Sequence, residues 1–238
     1  MNQHLVLISG KSATGKSLSL RNIPKPEGVM YLNCENGKSL PFNSKFKEFV
    51  ITDPFQIYEA FTKAEEMPEI HTIIVDSLTF MMDMFESVHV VGSFNTKGSC
   101  IFPDLKFKNL MNQYVAKSTK NVIFTAHTMD VMNEAEMVNE TLIKVKGSLM
   151  NVGIEAMFTT VISTKKVPLK KLEGCASDLL NVTEEEELLG FKYVYQTKLT
   201  KETVNERIRS SIGMWDTKES FIDNDVAIVL QRLHEYYK

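Results

Sequence analysis

The chain has 238 residues, which corresponds to one large domain, or to a domain with an appendage, at ~100 to 200 residues per domain. Hydrophobic residues make up 43% and charged residues 24%, a composition that excludes a disordered or fibrous protein. The formal charge of -3 at pH 7 lacks the basic excess of a dedicated nucleic-acid binder. A basic region on one face of the molecule remains compatible with these totals.

Cysteine spacing and hydropathy exclude further classes of protein. Cys34, Cys100 and Cys175 lie too far apart for a zinc-ligand motif and are too few for a disulfide framework. No segment reaches the ~18 consecutive apolar residues expected of a membrane span, and no apolar run with a basic flank opens the chain. We therefore expect a cytoplasmic protein that does not bind a membrane.

The first half of the chain alternates short apolar runs with segments of helical periodicity. The predicted strands are His4 to Ser9, Val29 to Asn33, Phe49 to Thr52, Thr72 to Val75 and Asn121 to Ala126. The predicted helices are Lys16 to Asn22, Pro54 to Met67, Leu78 to Val90 and Leu105 to Thr119, the last preceded by a loop from Gly92 to Phe102. This alternation predicts an α/β fold with a mainly parallel central sheet flanked by helices.

The pattern changes after His127. The segment Met129 to Asn139 is polar and has no clear period. Three later strands are expected to pair in antiparallel fashion, and they are Leu142 to Val145, Met157 to Ser163 and Phe191 to Thr197.

The last two of these strands are separated by an inserted excursion, Lys165 to Gly190. It begins with basic residues and contains an acidic block, Glu184 to Glu187, that we interpret as a solvated loop. An amphipathic helix is predicted from Asn224 to Tyr237. The expected organisation is a main domain of residues 1–215 and a helical tail of residues 216–238.

The segment Gly10 to Ser17, the glycine-rich loop, carries the clearest chemical motif. Its residues, GKSATGKS, satisfy G-x-x-x-x-G-K-[ST] between a predicted strand and a predicted helix, the context of a phosphate-binding loop. Backbone amides and a helix amino terminus would face the phosphates of ATP. Lys16 is expected to reach the β- and γ-phosphates, and Ser17 to place its hydroxyl on Mg²⁺. The predicted nucleotide-binding residues are Gly10, Lys11, Ser12, Ala13, Thr14, Gly15, Lys16, Ser17 and Leu18.

Asp76 ends a buried strand and is the second predicted Mg²⁺ residue. A carboxylate beside the glycine-rich loop can hold the ion through water. Asp76 and Ser77 also precede a helix, where both residue types are good amino-terminal caps. The two roles of Asp76 are compatible.

Glu35 and His127 also follow predicted strands. Because the carboxyl ends of parallel strands meet at one edge of the sheet, both side chains are expected near the nucleotide. Glu35 would orient the attacking water, and its alternative is a solvated residue in the turn with Asn36 and Gly37. His127 would sense the γ-phosphate, and its alternative is a structural histidine.

Arg207 and Arg209 alternate on a predicted strand, so that both guanidinium groups share one face. Arginine from a neighbouring subunit often stabilises charge in phosphoryl transfer. A solvated strand face is the alternative of equal weight.

Five separated segments together resemble the RecA-like P-loop ATPase family, and in particular its compact phage-encoded members associated with recombination and single-strand annealing. The segments are Gly10 to Ser17, Tyr31 to Glu35, Ile73 to Ser77, Phe124 to His127 and Arg207 to Arg209. In this family the glutamate after the second strand activates the attacking water, and Glu35 occupies that position. The resemblance covers Met1 to Trp215 without the excursion.

The resemblance implies an Mg²⁺-dependent ATPase that assembles as a homo-oligomer with ATP at the subunit interfaces. The family's DNA-contacting loop corresponds to Thr128 to Gly147, and Arg207 and Arg209 are similar to the late basic pair that reaches the adjacent subunit's ATP. The implied partners are single-stranded DNA and a single-strand annealing or single-strand-binding protein, in the host cytoplasm. The chain departs from the family in having His127 where classical recombinases have glutamine, and an acidic segment at Met129 to Asn139.

Candidate contacts to DNA phosphates are Lys144, Lys146 and the cluster Lys165 to Lys171, with a solvated surface as the alternative. Two other functions stay open at this point. A small-molecule kinase would use the same glycine-rich loop, although no arginine-rich lid segment is evident. A nucleotide switch or loader would bind ATP and contact a partner protein through the tail helix.

Overall fold

The computed structural model describes residues 2–89, 101–145, 149, 153–175 and 177–238. Val90, Lys146, Gly147 and residues 92–100 of the predicted loop Gly92 to Phe102, including Cys100, lie outside these residues. The last two residues of that predicted loop begin an α-helix instead. The strands are β1 (Leu5–Gly10), β2 (Val29–Asn33), β3 (Lys47–Val50), β4 (Thr72–Asp76), β5 (Asn121–Asn133), β6 (Val138–Ile143), β7 (Thr160–Pro168), β8 (Phe191–Gln196) and β9 (Phe221–Asp223). The α-helices are α1 (Phe55–Glu66), α2 (Leu78–His89), α3 (Ile101–Gln113), α4 (Glu184–Leu189) and α5 (Val226–Tyr236).

The central sheet has the strand order β3-β2-β4-β5-β1-β7-β8-β9. The strands from β3 to β7 in this order are parallel, whereas β8 and β9 continue the sheet in antiparallel fashion. The α/β class, the mainly parallel sheet and the antiparallel C-terminal strands are thereby confirmed. One pairing differs, because β7 was expected to be antiparallel only and in fact also pairs with β1 in parallel.

The sheet is covered on both faces, which explains why its central strands are continuous apolar runs. Every residue of β1, β2 and β4 is buried. One face packs against α1, α2 and α3 through side chains such as Phe61, Phe85 and Phe107. The other face packs against α5, whose Val229 and Leu233 share an apolar cluster with Ile8 of β1. Among the described residues, every helix is too short or too polar to cross a bilayer.

The glycine-rich loop does not lead into the helix that was predicted for Lys16 to Asn22. Only a three-residue 3₁₀ helix, Leu18–Leu20, forms there. The Ser19 hydroxyl donates to the Lys16 carbonyl at 2.5 Å, and Pro24 ends the segment before an α-helix can extend. A helix of three residues has only a small dipole. The positive charge near the loop therefore comes from the backbone amides of the loop and from Lys16.

The polar segment Met129 to Asn139 was expected to be irregular and is instead a β-hairpin. β5 continues past His127 and pairs with β6 from Thr128 to Asn133. Polar cross-strand bonds support the pairing, with Thr141 Oγ1 donating to Asp130 Oδ1 at 2.9 Å. Because each face of the hairpin mixes polar and apolar residues, most of them half-buried or exposed, the sequence shows no clear apolar alternation.

The acidic block Glu184 to Glu187 was expected to be a loop and is the start of helix α4. The Thr183 hydroxyl accepts from the Glu186 amide and the Glu186 carboxylate accepts from the Thr183 amide, a complete capping box. Glu186 also pairs with Lys192 at 2.7 Å. Acidic residues in the first turn favour the helix through its dipole.

Candidate functional site

A cleft of about 290 Å³ opens at the carboxyl edge of the parallel strands, where β1, β2, β4 and the parallel part of β5 end. It lies between the glycine-rich loop and the segment that follows β2. Its lining residues are Ser12, Ala13, Gly15, Lys16, Ser17, Leu18, Tyr31, Glu35, Lys38, Ser39, Leu40, Pro41, Asp76, His127 and Tyr193. The sequence-predicted Lys16, Ser17, Glu35, Asp76 and His127 thus meet in one cleft.

The glycine-rich loop is fixed by close contacts on its outer side. Gly15 has a φ of +95°, and a Cβ there would lie 2.4 Å from the Asn224 amide nitrogen, which donates to the Gly15 carbonyl. The hydroxyls of Thr14 and Thr164 lie 2.6 Å apart and link the loop to β7. Lys11 points away from the cleft, and its ammonium pairs with Asp130 of the hairpin at 2.6 Å. Gly10, Lys11 and Thr14 therefore shape the loop without lining the cleft.

Lys16 folds back over the loop that contains it. Its ammonium donates to the carbonyls of Gly10 at 2.9 Å and Lys11 at 2.8 Å, and the residue is only 6% exposed. Burial lowers the pKa of Lys16 to about 8, against the opposing attraction of Asp76 and Glu35. A bound phosphate would offer this ammonium a charged acceptor in place of two carbonyls, a stronger type of hydrogen bond.

The lowered pKa of Lys16 predicts that ATP affinity falls as the pH rises above about 8. Below this pH the ammonium is present to attract phosphate, and above it the free protein loses that charge. The affinity should decrease by up to about tenfold per pH unit, since binding then requires uptake of one proton. Titration with a fluorescent ATP analogue between pH 7 and 9.5 measures this. Lys16→Arg, which stays charged, should bind with a flatter pH profile; equal slopes for both proteins would contradict the prediction.

Asp76 is almost completely buried, at 2% exposure, and accepts hydrogen bonds from three hydroxyls. Ser17 and Tyr31 donate to Oδ2 at 2.9 and 2.7 Å, and Thr125 donates to Oδ1. The Ser77 hydroxyl has no hydrogen-bond partner among the described residues, so Ser77 does not cap α2. The Asp76 carboxylate is instead directed at the glycine-rich loop.

The pair Ser17 and Asp76 has the oxygen chemistry that Mg²⁺ prefers. Within the described ranges, no three His, Cys, Asp or Glu side chains are grouped so that they could hold a metal ion. Mg²⁺ is usually held by one or two carboxylates together with substrate phosphates and water rather than by a protein-only cage. A hydroxyl and a carboxylate beside a phosphate-binding loop fit that mode of binding.

Glu35 is held in the cleft by a turn and a histidine. Its backbone amide donates to Asn33 Oδ1 at 3.0 Å. Its carboxylate lies 3.1 Å from His127 Nε2 and 3.4 Å from Lys38 Nζ. The hydrogen bond from His127 is the main reason why the pKa of Glu35 is lowered to about 2. Glu35 is therefore an ionised, oriented carboxylate and not a freely solvated turn residue.

His127 connects Glu35 with Lys16. Its Nδ1 lies 3.5 Å from Lys16 Nζ, and its Nε2 faces Glu35. A ring protonated at Nε2 satisfies both contacts, since Nε2 then donates to the carboxylate and Nδ1 accepts from the ammonium. The His127 amide donates to Thr79 Oγ1 at 3.0 Å. The last residue of β5 that pairs with β1 thereby links Lys16 to Glu35 within the cleft.

Arg207 and Arg209 lie outside the cleft of their own chain. The predicted strand is not formed, since the segment makes only isolated bridges to neighbouring strands. Glu206 bridges to Thr141 of β6 in parallel and Arg209 to Val161 of β7 in antiparallel fashion, so the segment follows neither strand in a continuous ladder. The Arg207 guanidinium lies 3.3 Å from Glu155 and 3.6 Å from Glu140. Arg209 is exposed, and both arginines border a separate cavity of about 240 Å³.

Sequence reasoning missed several residues that shape the cleft. Tyr31 and Thr125 lie within apolar runs that predict buried strands. A hydroxyl in such a run needs a hydrogen-bond partner, and this was the signal that could have pointed to Asp76. Lys38 and Tyr193 also line the cleft. Tyr193 comes from β8, far along the chain, where no local pattern connects it with the glycine-rich loop.

Comparison with protein families and curated proteins does not assign this chain to a family or a function. No protein-family model matches the chain, and no curated protein matches it significantly. The function is therefore inferred from the chemistry of the cleft.

Proposed function

We propose that this protein is an Mg²⁺-dependent ATP hydrolase of the RecA type that acts on single-stranded DNA in recombination, annealing or replication. The observation that carries the proposal is the arrangement of one cleft. Within it the Lys16 ammonium lies 3.5 Å from His127, whose ring faces Glu35, and the Ser17 hydroxyl donates to Asp76. A phosphate-binding loop, a metal-binding pair and an oriented carboxylate are the groups that hydrolysis of a nucleoside triphosphate requires.

In this proposal, the residues of the cleft have different roles in phosphoryl transfer. Lys16 and the loop amides hold the phosphate chain, and Ser17 and Asp76 would hold Mg²⁺. The bound ion would neutralise charge on the β- and γ-phosphates. Leu18, Leu40 and Pro41 supply apolar surface in the same cleft, as expected for contacts to a base or ribose.

Glu35 is assigned to the attacking water. A carboxylate with a pKa of about 2 is a weak proton acceptor at neutral pH. Its main contribution is therefore to orient the water by accepting its hydrogen bond, while His127 holds the carboxylate in place. Proton transfer to a γ-phosphate oxygen is compatible with this role.

Of the two arginines, only Arg209 is proposed to act between subunits. Arg207 is paired with the buried Glu155. The other carboxylate oxygen of Glu155 accepts from the Ile143 amide. Arg207 therefore supports the base of the hairpin. The exposed Arg209 is the better candidate for a neighbouring subunit's ATP, in a homo-oligomer with nucleotide at the interface.

Single-stranded DNA is proposed to contact lysines and not the hairpin tip. Acidic side chains such as Glu134 and Glu136 would repel phosphates. In the excursion, Lys165 pairs with Glu206 and Lys171 with Glu202. The exposed Lys144, Lys166 and Lys170 remain the candidate phosphate contacts.

The test is ATP turnover by the purified protein with and without a single-stranded oligonucleotide at low salt. We expect Mg²⁺-dependent turnover that rises with the oligonucleotide and falls as salt is added. Turnover without any DNA effect or DNA binding would contradict the DNA part of the proposal. Tight ATP binding with negligible turnover would indicate a nucleotide switch, and turnover only with an added phosphate acceptor would indicate a kinase.

The same assay tests the role of Arg209 with mixed subunits. Lys16→Ala and Arg209→Ala proteins, each inactive alone, should regain activity when mixed, because one mixed interface contains an intact loop and an intact arginine. Arg207→Ala is unsuitable because it would leave the buried Glu155 carboxylate without its cation. Full activity of Arg209→Ala alone, or no recovery on mixing, would contradict action in trans.

A further inference from the structure

The Asp76 carboxylate is clamped by side chains from two neighbouring strands. β2 and β5 lie on either side of β4, and from them the Tyr31 and Thr125 hydroxyls reach different oxygens of Asp76. Tyr31 is 2% exposed, and its ring packs against Phe46 with centroids 6.2 Å apart. Both donors are thus held by rigid elements of the sheet.

We propose that Tyr31 and Thr125 are positioning residues that fix the orientation of Asp76 toward the Mg²⁺ of a bound nucleotide; this inference rests on the proposed function. Ser17 and Tyr31 share Oδ2 in the structure. When the Ser17 hydroxyl turns to the ion, Tyr31 still holds Oδ2 and Thr125 still holds Oδ1. With one donor on each oxygen the carboxylate cannot rotate about its own axis, and a free lone pair on Oδ2 faces the loop.

Two roles for the hydroxyls lead to different expectations. If they only satisfy a buried charge, their loss lowers the stability of the fold and leaves the Mg²⁺ dependence of nucleotide binding unchanged. If they orient Asp76, their loss weakens the response to Mg²⁺, since the partners that orient a metal-binding group are worth about 10- to 100-fold in metal affinity.

The experiment measures binding of ATP labelled with an N-methylanthraniloyl fluorophore while Mg²⁺ is titrated from zero, with EDTA, to excess. For Tyr31→Phe and Thr125→Val we expect wild-type affinity in EDTA and a half-maximal Mg²⁺ concentration raised about 10- to 100-fold. Thr125→Ser retains the hydroxyl and should respond as wild type. Tyr58→Phe is the matched control, because the Tyr58 hydroxyl donates to the Lys106 carbonyl at 2.7 Å, outside the cleft.

The outcomes separate the two proposals. Wild-type protein whose nucleotide affinity does not respond to Mg²⁺ would overturn the proposed function and the clamp together. A wild-type Mg²⁺ response in both Tyr31→Phe and Thr125→Val would overturn the clamp alone, even if thermal unfolding shows both variants to be less stable. A raised Mg²⁺ requirement in these two variants, with Thr125→Ser and Tyr58→Phe unchanged, would support the clamp.

Discussion

Replacing Lys16 with alanine is expected to weaken ATP binding by at least about 100-fold and to abolish turnover. The Lys16 ammonium lies largely buried in the cleft, within hydrogen-bond distance of two loop carbonyls. Hydrogen bonds to charged groups contribute about 1.5–3 kcal/mol each, and about 1.4 kcal/mol corresponds to tenfold in affinity. Equilibrium binding of labelled ATP measures the loss, and thermal unfolding checks that the variant is folded.

Lys11→Ala is the matched control for this prediction. Lys11 belongs to the same loop, but its ammonium pairs with Asp130 outside the cleft. Exposed ion pairs contribute about 0.2–1 kcal/mol, so ATP affinity should stay close to that of wild type. Equal losses in the two variants would show that loop charge in general, and not the position of Lys16, determines binding.

Replacing Glu35 with glutamine is expected to retain ATP binding and to reduce hydrolysis by about 10²- to 10⁴-fold, the usual contribution of a positioned acid–base group. Glutamine keeps the shape of the side chain and can still accept from His127 Nε2. It loses the negative charge that attracts the hydrogens of the attacking water. The measurement is single-turnover hydrolysis of bound ATP together with its dissociation constant.

The control for Glu35→Gln is Glu48→Gln. Glu48 lies on the neighbouring strand β3 and accepts from Asn33 Nδ2 at 2.8 Å, but it does not line the cleft. Hydrolysis by Glu48→Gln should match that of wild type. If Glu35→Gln also hydrolyses ATP at the wild-type rate, the assignment of Glu35 to the water is wrong.

The central part of the site follows directly from the order of elements in the sequence. Alternating strands and helices predict a parallel sheet, and the carboxyl ends of parallel strands share one edge. The sequence therefore predicts that Lys16, Asp76, Glu35 and His127 lie close together. The structure confirms their proximity, while their chemical roles stay predictions.

Other parts of the fold and of the site depend on contacts between distant segments, which a local sequence pattern cannot predict. The hydroxyl of Tyr31 reaches Asp76 only because β2 and β4 are adjacent and in a particular register. The helix expected after the glycine-rich loop is replaced by a 3₁₀ turn, where side-chain bonds and a proline override the periodic pattern. The hairpin was missed because both faces of its strands mix polar and apolar residues, and the arginine pair lies elsewhere because Arg207 has a buried glutamate partner.

Two of the contacts that hold the outer side of the glycine-rich loop differ in strength. A ligand that changes the conformation of the loop should therefore affect them unequally. Thr14 is joined to Thr164 of β7 in a half-buried contact, whereas Lys11 is joined to the hairpin by an exposed ion pair. A ligand that reshapes the loop can break the exposed pair at a cost of about 0.2–1 kcal/mol, and more easily in high salt. We therefore expect the hairpin to separate from the loop before β7 does.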